Sequence, residues 1–136
     1  SNWFFLSKYL FAFISKRPPK HFENVVLYDP KLLKKIDNNT IRNIDYDVFE
    51  TKKQNEFNFV RCMNLLNLGY FSEIKIKQAV RNIKVSLMQD GYLLIGRTHP
   101  NGENHASLYV KQNDNLVLIK HFSDGYEGDH LVDQYS

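Results

Sequence analysis

Glycine is scarce in this chain of 136 residues, and it is unevenly placed. Only six glycines are present, and the first of them is Gly69. The ligand-binding loop of a nucleotide fold needs glycine, because a residue without Cβ lets the backbone approach a phosphate or cofactor closely. The first half of the sequence therefore contains no glycine loop of that kind.

Cysteine and long apolar runs are also rare. The single cysteine, Cys62, excludes an intramolecular disulfide and leaves no cysteine-rich zinc pattern, so we expect a reducing, cytoplasmic setting. The longest apolar segment, 3–14, is interrupted by Ser7 and Lys8 and is too short for a helix to cross roughly 30 Å of hydrocarbon. No small-residue cleavage site follows it, so we expect neither a signal peptide nor a membrane anchor.

The composition predicts one soluble domain over residues 1–136. A hydrophobic content of 43% with 14% aromatics is enough to bury a single core. The 18 basic and 15 acidic residues are interleaved, so the net charge of +3 gives no strong nucleic-acid signal. The five histidines lack the spacing of a helix-borne metal pair, and no metal is expected.

The amino-terminal segment has the pattern of a helix within residues 1–20. Its apolar residues recur at three- and four-residue intervals, which gives one broad apolar face, and Pro18 and Pro19 end the pattern. The residues of that face are Trp3, Leu6, Leu10, Phe13 and Ile14.

The rest of the chain alternates strand and helix patterns. Apolar runs at 25–28 and 57–66 predict buried strands, and the weak alternation at 41–49 predicts a further strand. A short helix is predicted at 31–36. Ser72 has the chemistry of a helix N-cap, and the helix after it should end near Asp90-Gly91. A strand at 92–96 follows, and runs at 106–111 and 116–122 around a polar turn predict an antiparallel hairpin. This order indicates an α/β fold, mostly parallel with an antiparallel edge.

The order of these elements resembles a class I S-adenosylmethionine-dependent methyltransferase over residues 25–132. The most specific signal is Leu87-Met88-Gln89-Asp90-Gly91-Tyr92-Leu93, which resembles the family's Leu-x-Pro-Gly-Gly-x-Leu turn. The resemblance implies a Rossmann-like sheet and methyl transfer from S-adenosylmethionine to an acceptor that the sequence does not identify. The family's first strand and glycine loop have no counterpart here, so we expect residues upstream of Ser1 to be required.

The resemblance also implies a cofactor site. The acid that holds the ribose corresponds to Asp29, and the pair that binds adenine corresponds to Asp47 and Val48. The family's fourth strand corresponds to the run that begins at Phe57, although Asn58 stands where the family commonly has aspartate. Its end, at 61–64, would line the site near the methionine group of the cofactor. The predicted cofactor set is Asp29, Asp47, Val48, Arg61, Cys62, Met63 and Asn64. No catalytic residue is predicted.

Each of these assignments has a structural alternative. Asp29 precedes Pro30 and can equally cap a helix, Asp47 and Val48 can simply end a strand, and Cys62 in an apolar run is typical of a buried core residue. The run 25–28 can itself be the central strand, in which case Asp29 is not the ribose ligand. The alternative function is that of a non-catalytic, methyltransferase-like fragment or degenerate domain that acts in protein interaction. A homodimer or an upstream segment would fill the empty place in the sheet.

Overall fold

The computed structural model describes residues 3–5, 46–50 and 53–132. Five strands, one α-helix and one short 3-10 helix are formed in this part of the chain. They are β1 (Trp3–Phe5), β2 (Phe57–Met63), α1 (Glu73–Ser86), β3 (Leu87–Thr98), β4 (Asn104–Gln112), β5 (Asn115–Phe122) and the 3-10 helix Asp129–Leu131.

The strands form one mixed sheet in the order β1-β2-β3-β4-β5. Strands β1 and β3 both run parallel to β2, whereas β4 is antiparallel to β3 and to β5. Only one of the three pairings among the four long strands, β2 to β5, is parallel. The predicted fold, a mostly parallel Rossmann-like sheet, is therefore wrong for this part of the chain. The two-residue turn at 113–114 allows only an antiparallel return, and the hairpin lies beside β3 within the sheet.

The amino-terminal helix prediction is wrong at its start. Trp3–Phe5 is a strand whose residues Trp3 and Phe5 pair with Phe59 and Arg61 of β2. The sequence predicts that the first strand of the sheet is missing from this chain. That prediction is also wrong, because β1 is a parallel strand beside β2. The remainder of the predicted helix, at 6–14, and the elements predicted at 25–28 and 31–36 lie outside the described residues.

The helix prediction after Ser72 is confirmed. The Ser72 hydroxyl accepts a hydrogen bond from the Lys75 amide at 3.4 Å, and Glu73 lies in the first turn. The helix ends at Ser86, before Asp90-Gly91, because β3 begins at Leu87. Asp90 adopts a φ of 62°, and the pairing of β2 with β3 shifts register between Phe57 and Phe59. The expected turn is thus a local irregularity in a long strand.

The core lies between α1 and one face of the sheet, which we call the α1 face; the opposite face is the far face. Side chains at 76, 79, 80 and 83 of α1 are buried, and their three- and four-residue spacing places them on one face of the helix. They belong to one cluster with buried side chains of β2 to β5, namely Val60, Cys62, Leu93, Ile95, Tyr109 and Leu116. No helix in the described part of the chain is both long and apolar enough to span a bilayer.

The strand directions define two ends of the sheet. Strands β1, β2, β3 and β5 all end at one of them, which we call the carboxyl edge, and β4 begins there. The turn Asn113-Asp114 between β4 and β5 lies at the opposite, amino edge. Both turn residues have positive φ, 48° and 64°, as a tight hairpin turn requires.

Candidate functional site

Asn64 connects the ends of two parallel strands at the carboxyl edge. It follows β2 directly and has a φ of 61°, a left-handed conformation that asparagine adopts more readily than most residues. Its amide donates to the Gly96 carbonyl at 2.9 Å, and its side-chain oxygen accepts from the Thr98 amide at 2.6 Å. The exposed Asn64 side chain is therefore held in place by the last residues of β3.

Two further side chains continue this polar arrangement across β3 to the start of β4. The Thr98 hydroxyl lies 3.4 Å from the side-chain nitrogen of Asn64 and 2.8 Å from the side-chain oxygen of Asn104. We call Asn64, Thr98 and Asn104 the asparagine row. All three are exposed. Asn64 and Thr98 lie at the carboxyl ends of the parallel strands β2 and β3, and Asn104 begins the antiparallel strand β4 beside them. Open sheets with parallel strands bind ligands outside such ends.

A second polar group, centred on Asp129, lies on the α1 face. One carboxylate oxygen accepts from the buried Ser107 hydroxyl at 2.7 Å and lies 3.0 Å from Nε2 of His121. The other oxygen accepts from the hydroxyl of Tyr109, a fully buried residue. The Ser107 oxygen also accepts from the Tyr126 amide at 2.9 Å. These hydrogen bonds hold segment 123–132, which follows β5, against the sheet.

The same segment also contacts the loop that follows β2. The Tyr126 hydroxyl donates to the Leu66 carbonyl at 2.6 Å. Glu127 accepts from the Leu68 amide at 3.0 Å and from Arg97 at 3.2 Å. Loop 65–72 and segment 123–132 are thereby held together beside the asparagine row. Because the contacts involve buried hydrogen bonds, they give this edge a fixed shape.

A histidine pair lies at the corner between β3 and β4. The rings of His99 and His105 are 3.9 Å apart between centroids. His105 has Glu103 at 3.6 Å from Nε2 and Asp124 at 3.5 Å from Nδ1. Within the described ranges, however, no group of three or more His, Cys, Asp or Glu side chains could hold a metal ion.

The structure brings only part of the predicted cofactor set to the carboxyl edge. Asn64 is exposed there, and Arg61 is partly exposed on the far face of β2. Cys62 and Met63 are instead buried, and Cys62 belongs to the core between the sheet and α1. Their predicted role in lining a cofactor site is not supported by an accessible surface. Asp29 lies outside the described residues.

The predicted adenine-binding pair lies along α1. The Asp47 side chain accepts from the Phe49 amide at 2.8 Å and closes a turn over residues 48–50, where the sequence predicted the end of a strand. The Val48 side chain is buried, and its carbonyl accepts from Asn82 of α1 at 2.9 Å. Asp47 also borders a shallow depression of about 270 Å³ at the start of α1, which Tyr70, Phe71 and Lys75 help to line.

Sequence reasoning missed Thr98, Asn104 and the Asp129 group. Thr98 follows the predicted strand 92–96 and Asn104 precedes the predicted strand 106–111, and their polar character next to these strands was the available signal. For the Asp129 group no local signal exists, because Ser107, Tyr109, His121 and Asp129 come from three separate elements. Comparison with known proteins gives no further assignment, since no family model and no curated protein matches this chain.

Burial affects the acid-base behaviour of several core groups. It raises the pKa of the Cys62 thiol from about 9.0 to about 12. Burial is also the main cause that raises the pKa values of Tyr46, Tyr109 and Tyr126 above 10.0, and the hydrogen bond to Asp129 adds to the effect at Tyr109. A thiol with so high a pKa is a poor nucleophile at neutral pH.

These shifts predict a loss of stability in alkali. A group whose pKa is higher in the folded protein contributes stability that is fully present below its unfolded pKa and is lost as the pH rises towards the folded value. The free energy of unfolding, measured by urea denaturation, should therefore fall steadily between pH 9.0 and about 12. Cys62→Ala should show a smaller fall over the same range. An unfolding free energy that stays constant up to pH 12 would contradict the burial of these groups.

Proposed function

We propose that this protein transfers a methyl group from S-adenosylmethionine to an acceptor, with the cofactor lying along the carboxyl edge of β1, β2 and β3. The observation that carries the proposal is the exposed Asn64 side chain at the end of β2, fixed by hydrogen bonds to Thr98. The type of reaction is inferred from the sequence resemblance of residues 87–93 to the methyltransferase family. The location of the site is inferred from Asn64, because the resemblance places the methionine group of the cofactor near this residue.

The sheet topology supports this placement of the cofactor. Strands β1, β2 and β3 are adjacent and parallel, so their carboxyl ends form a continuous edge. Ligands of open sheets with parallel strands bind outside such an edge. The Asn64 amide can both donate and accept hydrogen bonds, which suits the carboxylate and ammonium groups of a bound amino acid.

Methyl transfer also makes modest chemical demands on the protein. The sulfonium carries an activated methyl group, so the main task is to hold it in line with the acceptor, and orientation supplies most of the rate. A rigid polar edge can hold the cofactor in this way, and the protein itself does not need a nucleophilic side chain because the acceptor attacks the methyl group. The hydrogen bonds of loop 65–72 and segment 123–132 provide rigidity beside the asparagine row.

Calorimetric titration with S-adenosylhomocysteine tests the site without knowledge of the acceptor. Asn64→Gly is the variant of choice, because glycine keeps the left-handed backbone and removes only the side chain. Because β1 fills the place beside β2 that upstream residues were expected to supply, we expect the wild type to bind S-adenosylhomocysteine. The variant should bind about tenfold more weakly, which corresponds to the loss of about one good hydrogen bond.

Asn113→Gly is the matched control. Asn113 also has positive φ, but it lies in the hairpin turn at the amino edge. Its substitution should leave the affinity for S-adenosylhomocysteine unchanged. Equal weakening in both variants would point to a general change of structure and would contradict a site at Asn64.

A non-catalytic role in protein interaction is the second candidate. It is favoured by the burial of Val48, Cys62 and Met63, three members of the predicted cofactor set. Under this alternative the wild type does not bind S-adenosylhomocysteine at all, and the asparagine row is a surface feature without a cofactor. The wild-type titration therefore separates the two candidates directly.

A further inference from the structure

We propose that two copies of this chain associate through β5, antiparallel to each other, and form a symmetric dimer with a continuous sheet. β5 is the last strand of the sheet, and its pairing with β4 is the only strand pairing it makes within the described residues. No other described strand lies along its outer side, so the backbone N–H and C=O groups there can pair with another strand. The proposal uses residues 116–121 of this strand.

The side chains of β5 are unusually apolar for a sheet edge. Val117 is 39% exposed and Ile119 is 51% exposed. Edge strands of monomeric proteins are usually protected by charged side chains, prolines or covering loops. Within 116–121 Lys120 is the only lysine, arginine, aspartate or glutamate. Pairing with another strand would remove Val117 and Ile119 from water and satisfy the backbone of the edge.

The strand is self-complementary in an antiparallel register centred between Leu118 and Ile119. A bulge opposite Leu108 and Tyr109 offsets the normal alternation of side chains along β5. Residues 117 and 120 therefore lie opposite 110 and 108 on one face, and residues 116 and 121 lie opposite 111 and 107 on the other. A two-fold axis at the centre consequently pairs residues of the same face, Val117 with Lys120 and Leu116 with His121, and places Leu118 opposite the bulged residue Ile119.

This register favours a second copy of the chain as the occupant. No like charges lie directly opposite each other, because each Lys120 meets a Val117 of the other copy. Self-complementarity under a two-fold axis is the property that an isologous interface requires. The six paired residues on each strand would form about six backbone hydrogen bonds. An interface of this size is small, so we expect a dimer that dissociates on dilution.

Sedimentation velocity of the full chain over a wide concentration range tests the proposal. We expect the wild type to change from monomer to dimer as the concentration rises. Ile119→Lys should remain a monomer, because it places two lysines next to each other at the centre of the interface. Ile74→Lys is the matched control, since Ile74 is a 78% exposed isoleucine on α1 and its substitution should leave dimerisation unchanged.

A chemical crosslink in the unmodified chain provides a second measurement that does not depend on any variant. In the proposed register the two Lys120 Cα atoms are about 11 Å apart, from strand spacing and rise per residue. An amine-reactive crosslinker should therefore join two Lys120-containing peptides, and such a product can only come from two copies. A wild type that is monomeric at all concentrations, dimers of Ile119→Lys, or crosslinked dimers without the Lys120–Lys120 product would overturn the proposal.

Discussion

Asp129→Ala is expected to lower the free energy of unfolding by about 3 kcal/mol. The substitution removes the acceptor for the hydroxyls of Ser107 and Tyr109, both of which are buried. A buried donor left without an acceptor costs about 1–3 kcal/mol, and the His121 contact at 3.0 Å is lost as well. The segment that carries Tyr126 should also loosen, because Ser107 accepts its amide hydrogen bond.

Asp124→Ala is the matched control for this prediction. Asp124 lies in the same segment, but its side chain is 93% exposed, so its removal should change the unfolding free energy by less than about 0.5 kcal/mol. Urea denaturation of the two variants and the wild type measures the difference. Equal stability of the Asp129 and Asp124 variants would show that the Asp129 group does not hold the segment.

Gly96→Ala is expected to destabilise the protein by about 3 kcal/mol, because β3 and β4 approach too closely at this position for a side chain. A Cβ on residue 96 would lie 2.2 Å from the His105 carbonyl oxygen and 2.6 Å from the Ala106 Cα. Both are backbone atoms, so the strands must move apart to accommodate the methyl group. The Gly96 carbonyl also accepts from the Asn64 amide, so the asparagine row should be disturbed at the same time.

Gly69→Ala provides the comparison. There a Cβ would come within 3.0 Å of a side-chain oxygen of Asn67, which can rotate away. We expect a change in unfolding free energy below about 1 kcal/mol, measured by the same denaturation experiment. If the two glycine variants are equally stable, the close approach of β3 and β4 is not as described.

The sequence predicts the second half of the described sheet well. The α1 start at Ser72 follows from local capping chemistry, and the hairpin of β4 and β5 follows from two apolar runs around a polar turn. Both signals are local, so they do not depend on distant parts of the chain. The boundaries of β3 were less well predicted, because its first residues, 87–91, lack the apolar continuity of 92–96.

The sequence fails where long-range pairing decides the structure. The apolar spacing near Trp3 fits a helix, but pairing with β2 makes residues 3–5 a strand, and tertiary contacts commonly override such local preferences. The mostly parallel sheet was wrong because the pattern of elements does not determine where a hairpin joins the sheet. The Asp129 group was unpredictable for the same reason, since its members meet only after β4, β5 and the 3-10 helix have packed together.

The residues predicted to form a cofactor site differ in the same way. Strand alternation could have separated Cys62 from Arg61, because neighbouring residues of β2 point to opposite faces. The exposed position of Asn64 was not predicted from strand pattern, because the predicted strand 57–66 contains Asn64, whereas β2 ends at Met63. The fixation of Asn64 by Thr98 required the pairing of β2 with β3, which the sequence did not specify.

The most direct test of a cofactor site at the carboxyl edge is to follow the backbone amide NMR signals during titration with S-adenosylhomocysteine. The account predicts the largest shift changes at Asn64, Gly96 and Thr98, and unchanged signals for Asn113 and Asp114 at the amino edge. No shift changes at saturating S-adenosylhomocysteine, or changes confined to residues far from the carboxyl edge, would contradict it.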